Sequence, residues 1–360
     1  KKAMMPVIAA FGGVVAPALI FTAINHGSAA ASGWGIPTAT DIAFAVGILS
    51  ILGDRVPVSL KVFLTALAIA DDLIAILVVA LFYGGTINFG LLSIAFVLIA
   101  LVLLMNKLGE KRGWFYLVPA IAIWSLFYYA GIHSTMSGVV MAFLVPMTPR
   151  FNEAYFHRKR LQYIRRLNEY NGIASTSSEF PNGPQRHCLR RLSAISRDSI
   201  GMSYRLEHAL GPWVNFLIMP IFALANAGVE IPDVSYFNVF QFDQVLGSVS
   251  MGIFLGLVLG KPLGISLASF IAVKLHVGEM PAKSTWPMLI AVACLGGIGF
   301  TMSIFVDTLS FGDQTPEVMA RLRDMGKVAV LMGSLCAGIL GSVLINIIHG
   351  IESRKSVVKA

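Results

Sequence analysis

Five ionisable side chains lie in stretches of this sequence that are otherwise apolar. Asp71 and Asp72 stand side by side in the middle of Val62-Phe-Leu-Thr-Ala-Leu-Ala-Ile-Ala-Asp-Asp-Leu-Ile-Ala-Ile-Leu-Val-Val-Ala80. Asp41 lies in Pro37-Thr-Ala-Thr-Asp-Ile-Ala-Phe44, Lys261 in Leu259-Gly-Lys-Pro-Leu-Gly264 and His133 in Gly131-Ile-His-Ser-Thr135. An acidic residue at the centre of a bilayer costs about 2.5–3.5 kcal/mol on insertion scales, so two adjacent ones point to use rather than accident. A carboxylate removed from water holds a proton more readily than one in solution. A dehydrated alkali cation seeks the same carboxylate oxygens, helped by backbone carbonyls. Competition between cation and proton for one site is sufficient chemistry for exchange.

Adjacent positions on a helix point about 100° apart, so Asp71 and Asp72 cannot both face one partner squarely. One arrangement turns Asp72 to a water-filled cavity and Asp71 to a neighbouring helix. Lys261 is the buried cation available to balance Asp71, and an unpaired charge there would be expensive. A Lys261–Asp71 pair is the expectation. Each lesser residue has a plainer reading beside its site role. Asp41 could cap a helix, Lys261 could snorkel from a helix end, and His133 could be a satisfied core or interfacial histidine.

The elements that must position these residues are membrane helices. The chain of 360 residues is 56% hydrophobic and only 13% charged, with a mean hydropathy of +0.76. A soluble domain carries about a quarter charged residues. The apolar runs are long and continuous, unlike the alternating ten-residue segments of a β-barrel. Ten spans are expected, at 5–23, 36–52, 58–83, 88–106, 114–129, 132–147, 209–229, 245–273, 285–307 and 326–349. Cys188, Cys294 and Cys336 have neither metal nor disulfide spacing and read as packed small hydrophobes. The first residues, Lys1-Lys2-Ala-Met-Met, show neither an initiator Met nor a signal peptide, which predicts a fragment or trimmed chain.

The formal charge of +8 would suggest nucleic acid only if these spans were ignored, because the basic residues gather in loops. Lys1, Lys2, Arg55, Lys61, Lys107, Lys111, Arg112, Lys274, Lys283, Arg354, Lys355 and Lys359 fall on one set of connections. The alternate loops 24–35 and 84–88 carry no Lys or Arg, and 230–244 holds Glu230, Asp233 and Asp243. Both termini are therefore expected in the cytoplasm, with loop 308–325 (Arg321, Arg323) a mild exception. The expected organisation is a first membrane part at 1–147, a basic cytoplasmic loop at 148–208, a second membrane part at 209–350 and a tail at 351–360. Within the loop, 175–184 reads as disordered and Arg158–Arg166 as a basic amphipathic helix on the membrane surface; the loop is read as plainly topogenic or as regulatory or lipid-binding.

Two spans look broken. Thr38 and Thr40 weaken the helix beside Asp41, and Leu295-Gly-Gly-Ile-Gly-Phe-Thr-Met-Ser303 sets three glycines and two hydroxyls at mid-membrane. Backbone that is not helical at that depth must be satisfied by protein or by a cavity, and paired interruptions point to a transporter's binding site. Ala39-Thr-Asp-Ile-Ala-Phe44, Leu67-Ala-Ile-Ala-Asp-Asp-Leu73, Gly131-Ile-His133, Leu206-Glu-His-Ala-Leu-Gly-Pro-Trp213, Phe222-Ala-Leu-Ala-Asn-Ala-Gly228, Gly260-Lys-Pro-Leu-Gly-Ile-Ser266 and Gly297-Ile-Gly-Phe-Thr-Met-Ser-Ile-Phe305 occur in one order. In these motifs the chain, over residues 6 to about 345, resembles the NhaA family of bacterial sodium/proton antiporters.

The resemblance implies an all-α polytopic membrane protein with an inverted-repeat transporter fold and two interrupted, crossing helices. It implies that Asp71 and Asp72 bind the cation and the protons. It places Thr40 and Asp41 where the broken helices cross, with Asp41 balancing helix-end dipoles, and pairs Lys261 with Asp71. Glu207, His208 and His133 correspond to positions linked to pH response. The implied activity is electrogenic, pH-regulated exchange of cytoplasmic Na⁺ or Li⁺ for external H⁺ in a bacterial inner membrane, controlling internal pH and sodium without a cofactor. Partners are the lipid bilayer and the transported ions, with a homodimer left open and no nucleic acid. The family has twelve spans and this chain starts where the third should begin, while stretch 148–203 exceeds the connection in the best-known members. Two other classes differ in their needs. An intramembrane aspartyl protease wants two Asp facing each other across a scissile bond, and a sodium-coupled symporter of a small organic anion wants a roomy polar cavity.

Overall fold

In the computed structural model of the protein, the described residues are 4–83, 87–110, 112–149, 151–173, 181, 183–226, 228, 238–239, 247–282, 284–312 and 315–359. Helices dominate them, as an apolar chain in lipid requires, since each backbone N–H and C=O must find its partner within the protein. In order, α1 is Met4–Ile24, followed by a 3-10 helix Ala29–Thr38, α2 (Ile42–Ile51) and α3 (Val58–Phe82). Then come α4 (Phe89–Lys107), α5 (Trp114–Tyr129), α6 (Thr135–Leu144), α7 (Glu153–Ile173), α8 (Gly183–Asp198) and α9 (Met202–Trp213). The rest are α10 (Met219–Asn226), α11 (Val249–Leu255), α12 (Lys261–Lys274), α13 (Trp286–Leu295), α14 (Phe300–Ser310) and α15 (Pro316–Lys359).

Among the described residues, six helices are long and apolar enough to cross a membrane: α1, α3, α4, α9 continued into α10, α11 continued into α12, and α15. Two more expected spans are bent pairs, the 3-10 helix with α2 at 42° and α13 with α14 at 52°. The remaining two, α5 and α6, are apolar but only 16 and 10 residues long. Four boundaries differ from expectation. The span expected to begin at 36 begins at Ala29, so the expected loop 24–35 is helical from there on. The span expected at 209 starts at Met202, the one expected at 326–349 runs Pro316–Lys359, and the loop expected at 308–325 is helical from Pro316 onward. A helix does not end where its apolar run ends. Pro316 is well suited to a first turn, and the charged residues beyond the lipid are good helix formers.

The chain divides into two units, Lys1–Tyr83 with Ile218–Ala360, and Gly84–Leu217. In the first, α1 packs along α12 at touching distance of backbone: a Cβ on Gly264 would stand 2.1 Å from the Gly12 carbonyl oxygen. Small residues at a helix crossing allow this approach in membranes. Two apolar clusters fill the unit, one around Leu49, Leu64, Leu67 and Leu295, the other around Phe21, Ile36, Ile253 and Phe311. Outward-facing residues are just as apolar, with Phe11 64%, Val58 74% and Ile51 86% exposed, which is the surface a lipid environment selects. A π turn at Gly256–Gly260 leads into α12. Pro262 has no N–H and would clash with the carbonyl one turn back, and the widened turn relieves both problems.

The second unit holds α4, α5 and α6, packed through Ala95, Val102, Ile123, Phe127 and Met141. Asn106 donates to the Leu144 carbonyl at 2.8 Å, and the Tyr116 hydroxyl donates to the Glu110 carbonyl at 2.8 Å. Helices α7 and α8 pack on each other, and α7 covers the stretch Arg158–Arg166 expected to be helical. The expected disorder at 175–184 falls mainly outside the described residues, as do Lys1, Lys2, Lys111, Arg150, Lys283, Glu230, Asp233 and Asp243.

Candidate ion-binding site

The buried residues of α3 are Leu60, Phe63, Leu64, Leu67, Ala68, Asp71, Ala75, Val78 and Val79. They recur every three or four positions, so they form one stripe, and Asp71 lies on it. Asp72, 100° further round, is only half-buried. The expected turn of Asp71 towards the protein interior is therefore what the helix produces.

Lys261 meets Asp71 in a salt bridge whose side chains are 0% and 1% exposed. The Lys261 ammonium also donates to Thr40 Oγ1 at 2.5 Å. Thr40 Oγ1 lies 2.6 Å from Asp71 Oδ2 and 2.8 Å from the Gly296 carbonyl oxygen. The hydroxyl has one hydrogen, so it serves one of these two acceptors at a time. All of this is concentrated on Asp71 Oδ2. Asp71 Oδ1 and Asp72 Oδ1 are buried without a hydrogen-bond partner among the described residues. Asp72 lies within electrostatic range of Asp71, Lys261 and Asp41.

Residues 39–41 and 296–299 are the two breaks, and they complete each other. The Asp41 N–H donates to the Ile298 carbonyl at 2.6 Å. Asp41 caps both of the half-helices that start at the crossing. Its Oδ1 accepts from the Phe44 N–H of α2 at 3.3 Å, and its Oδ2 accepts from the Thr301 N–H of α14 at 3.0 Å and from the Thr301 hydroxyl. The first N–H groups of a helix have no internal partner and carry the positive end of the dipole, so one carboxylate at two N-termini satisfies both. The capping expected of Asp41 is thus performed at two helices rather than one. Ser334 on α15 accepts the N–H groups of Gly299 and Phe300 at 3.2 and 3.1 Å. Gly297 has to be glycine for space: a Cβ would stand 2.3 Å from the Leu257 carbonyl oxygen in the π turn ahead of Lys261.

The structure thus brings Thr40, Asp41, Asp71, Asp72 and Lys261 together. Glu207, His208 and His133 belong to the second unit. Glu207 is exposed on α9, and the His208 ring stacks on Tyr204 at 3.9 Å with Nδ1 3.0 Å from the Tyr204 carbonyl. His133 lies in the turn before α6, where its carbonyl accepts the Met136 N–H at 3.0 Å. Sequence reasoning missed Ser334, one of two serines in the apolar run of α15, and Asp307, a fully buried acid on α14. The run Ile304-Phe-Val-Asp-Thr-Leu309, with one acid inside apolar residues, was the available signal for Asp307.

A family model described as Na+/H+ antiporter 1 matches residues 1–345. A protein of Syntrophobacter fumaroxidans named Na(+)/H(+) antiporter NhaA is 40% identical over 342 residues, covering 95% of this chain and 70% of that protein. The protein of the same name from Oleidesulfovibrio alaskensis is 40% identical over 357 residues, 99% of this chain and 76% of its own length. That from Pelagibacter ubique is 41% identical over 342 residues, 95% of this chain and 73% of its own.

Proposed function

The chain belongs to the Na+/H+ antiporter 1 family, and from that premise we propose that Asp71 and Asp72 form the site at which Na⁺ and H⁺ compete. The protein is a membrane secondary transporter that exchanges sodium ions for protons; it is not an enzyme, and the ions are substrates rather than cofactors. The observation that carries the assignment of the site is the pair of buried, unpartnered oxygens, Asp71 Oδ1 and Asp72 Oδ1. A buried polar oxygen without a partner is expensive, and a cation or a proton removes the expense. Lys261 neutralises one of the two acids, so the pair carries about one net negative charge, which suits one monovalent cation. Thr40 and Asp41 tie this pair to the crossing of the broken helices, so a change at the carboxylates reaches the backbone directly.

Lithium as an alternative cargo, and electrogenic export of the cation against inward protons, belong to the same reading. At about 2.3 kcal/mol per charge per 100 mV, unequal ion numbers would let the membrane potential drive exchange. The distribution of Lys and Arg supports cytoplasmic termini in a bacterial inner membrane, with 1–147 and 209–350 as membrane parts, 148–208 as a basic cytoplasmic loop and 351–360 as a tail. Glu207, His208 and His133 are proposed to act in pH response, and a homodimer is proposed as the assembly.

The test is sodium-induced proton movement in proteoliposomes. Asp72→Asn should abolish it while leaving the folded protein nearly as stable as before, because Asp72 Oδ1 makes no hydrogen bond that would be lost. Intact exchange in Asp72→Asn would refute the assignment.

A further inference from the structure

Asp307 lies on α14, the half-helix whose first turn is held by Asp41. It is 0% exposed, and neither carboxylate oxygen has a hydrogen-bond partner among the described residues. The carboxylate lies flat on α15 at a glycine, where a Cβ on Gly326 would stand 2.1 Å from Oδ1 and 2.9 Å from Cγ. The nearest charges in effect are Arg323, Lys327 and Asp324, all on α15. Neither base is bonded to the acid. Arg323 donates from Nη2 to the Thr308 carbonyl, and Lys327 donates to the Gly228 carbonyl at 2.8 Å. Of the other elements packed on α14, the 3-10 helix Ala29–Thr38 and α10 have no charged side chain in their sequences, and Tyr83, just past α3, hydrogen-bonds Ser310, whose hydroxyl donates to the Val306 carbonyl at 2.7 Å.

Four residues back, on the same face of α14, Ser303 Oγ is also buried and unpartnered among the described residues. Three residues on, Ser310 is buried too. Positions 303, 307 and 310 follow the helical repeat, so a strip of buried oxygens runs from the crossing to the end of α14.

A dry carboxylate with no donor on either oxygen is stable in only two ways: as the acid, or with a cation brought to it. We propose that Asp307 is a further proton-binding carboxylate of the exchanger, apart from Asp71 and Asp72, and the middle group of a relay Ser303–Asp307–Ser310 along α14. In the step it performs, one carboxylate oxygen takes a proton from water at the helix end and becomes the neutral acid. It then gives that proton up toward the crossing and returns to the anion. The proposal rests on the reading of the chain as a sodium/proton exchanger for the purpose of the relay, but not for the protonation of Asp307 itself.

The experiment has two readouts on the full chain in proteoliposomes. Infrared difference spectra should contain a carbonyl band of a carboxylic acid with no hydrogen bond, which fades on alkaline titration and is missing in Asp307→Asn. The pH profile of sodium-dependent exchange should shift and its rate fall several-fold in Asp307→Asn. A spectrum of Asp307→Asn identical to that of the parent protein would overturn the proposal and make Asp307 a fixed counter-ion of Arg323 and Lys327. An unshifted pH profile would overturn the relay. If the parent protein exchanges no ions, the antiporter reading fails, and the infrared band still decides whether Asp307 holds a proton. Should Asp307→Asn not fold, Gly326→Ala sets a methyl group against Oδ1 and must move the band; an unmoved band overturns the proposal.

Discussion

Replacing Lys261 by Ala should be the most destabilising single change in the ion-binding region. Removing one partner of a buried ion pair typically costs about 3–5 kcal/mol, because the other charge is left behind without water. Here the side chains of Lys261 and Asp71 are 0% and 1% exposed, so solvent cannot replace the ammonium. Thr40 remains as a donor to Asp71 Oδ2, but its single hydrogen is also sought by the Gly296 carbonyl. Its compensation is thus at most one charged hydrogen bond, about 1.5–3 kcal/mol, and much of that is already present in the parent protein. A net loss near 3 kcal/mol corresponds to more than a hundredfold in the folded-to-unfolded ratio, at about 1.4 kcal/mol per tenfold. Replacing both charges behaves differently, since apolar substitutes for a buried pair are often neutral or stabilising. Lys261→Met combined with Asp71→Leu should recover most of what either single change loses. The assay is reversible denaturant unfolding in detergent micelles, followed by helical circular dichroism on the parent, on Lys261→Ala, and on the cycle of Lys261→Met, Asp71→Leu and their double. Lys274→Ala, an exposed lysine at the end of the same helix, is the control. Strict additivity in this cycle, or a Lys261→Ala variant no weaker than the control, would refute the reasoning.

Three further outcomes are expected. Thr40→Val keeps the shape of the side chain and removes the bridge between Asp71, Lys261 and Gly296, leaving a buried carbonyl unserved. It should cost roughly 1–3 kcal/mol in the same unfolding assay and lower the sodium-dependent exchange rate. Asp41→Ala uncaps two helices at once and should cost about 1–4 kcal/mol, with Asp41→Asn recovering the hydrogen-bonding part but not the dipole part; denaturant midpoints of the two variants separate these contributions. Gly297→Ala drives a methyl group towards the Leu257 carbonyl and should cost about 1–3 kcal/mol, with loss of exchange in proteoliposomes if the crossing must stay closed for transport.

Much of the architecture was legible because the physics of a membrane span is local. Hydropathy alone places α1, α3 and α4 to within a residue or two, since an apolar run in lipid has to be a helix. The breaks were legible from Thr40 and from Gly296, Gly297 and Gly299, and the Lys261–Asp71 pair followed from charge balance. Three things were not legible. The 3-10 form of Ala29–Thr38 depends on what packs against it, not on its own sequence. The ten residues of α15 before its apolar run look like a loop to any hydropathy argument, because charge masks helix propensity there. Ser334 carries no sequence mark at all, since a serine in an apolar helix becomes a cap only when another helix starts beside it.

The two breaks are far apart in the chain: Thr40 and Gly296 are 256 positions from each other, yet each supplies what the other lacks. Substitutions at the two places should therefore not have independent effects. A change near residue 40 that is harmless with one arrangement of 296–299 becomes harmful with another, so the tolerated residues at each break depend on the genetic background at its counterpart. Mutational scans of either segment alone would understate this epistasis. Pairwise libraries across the crossing would recover it as combinations viable only together.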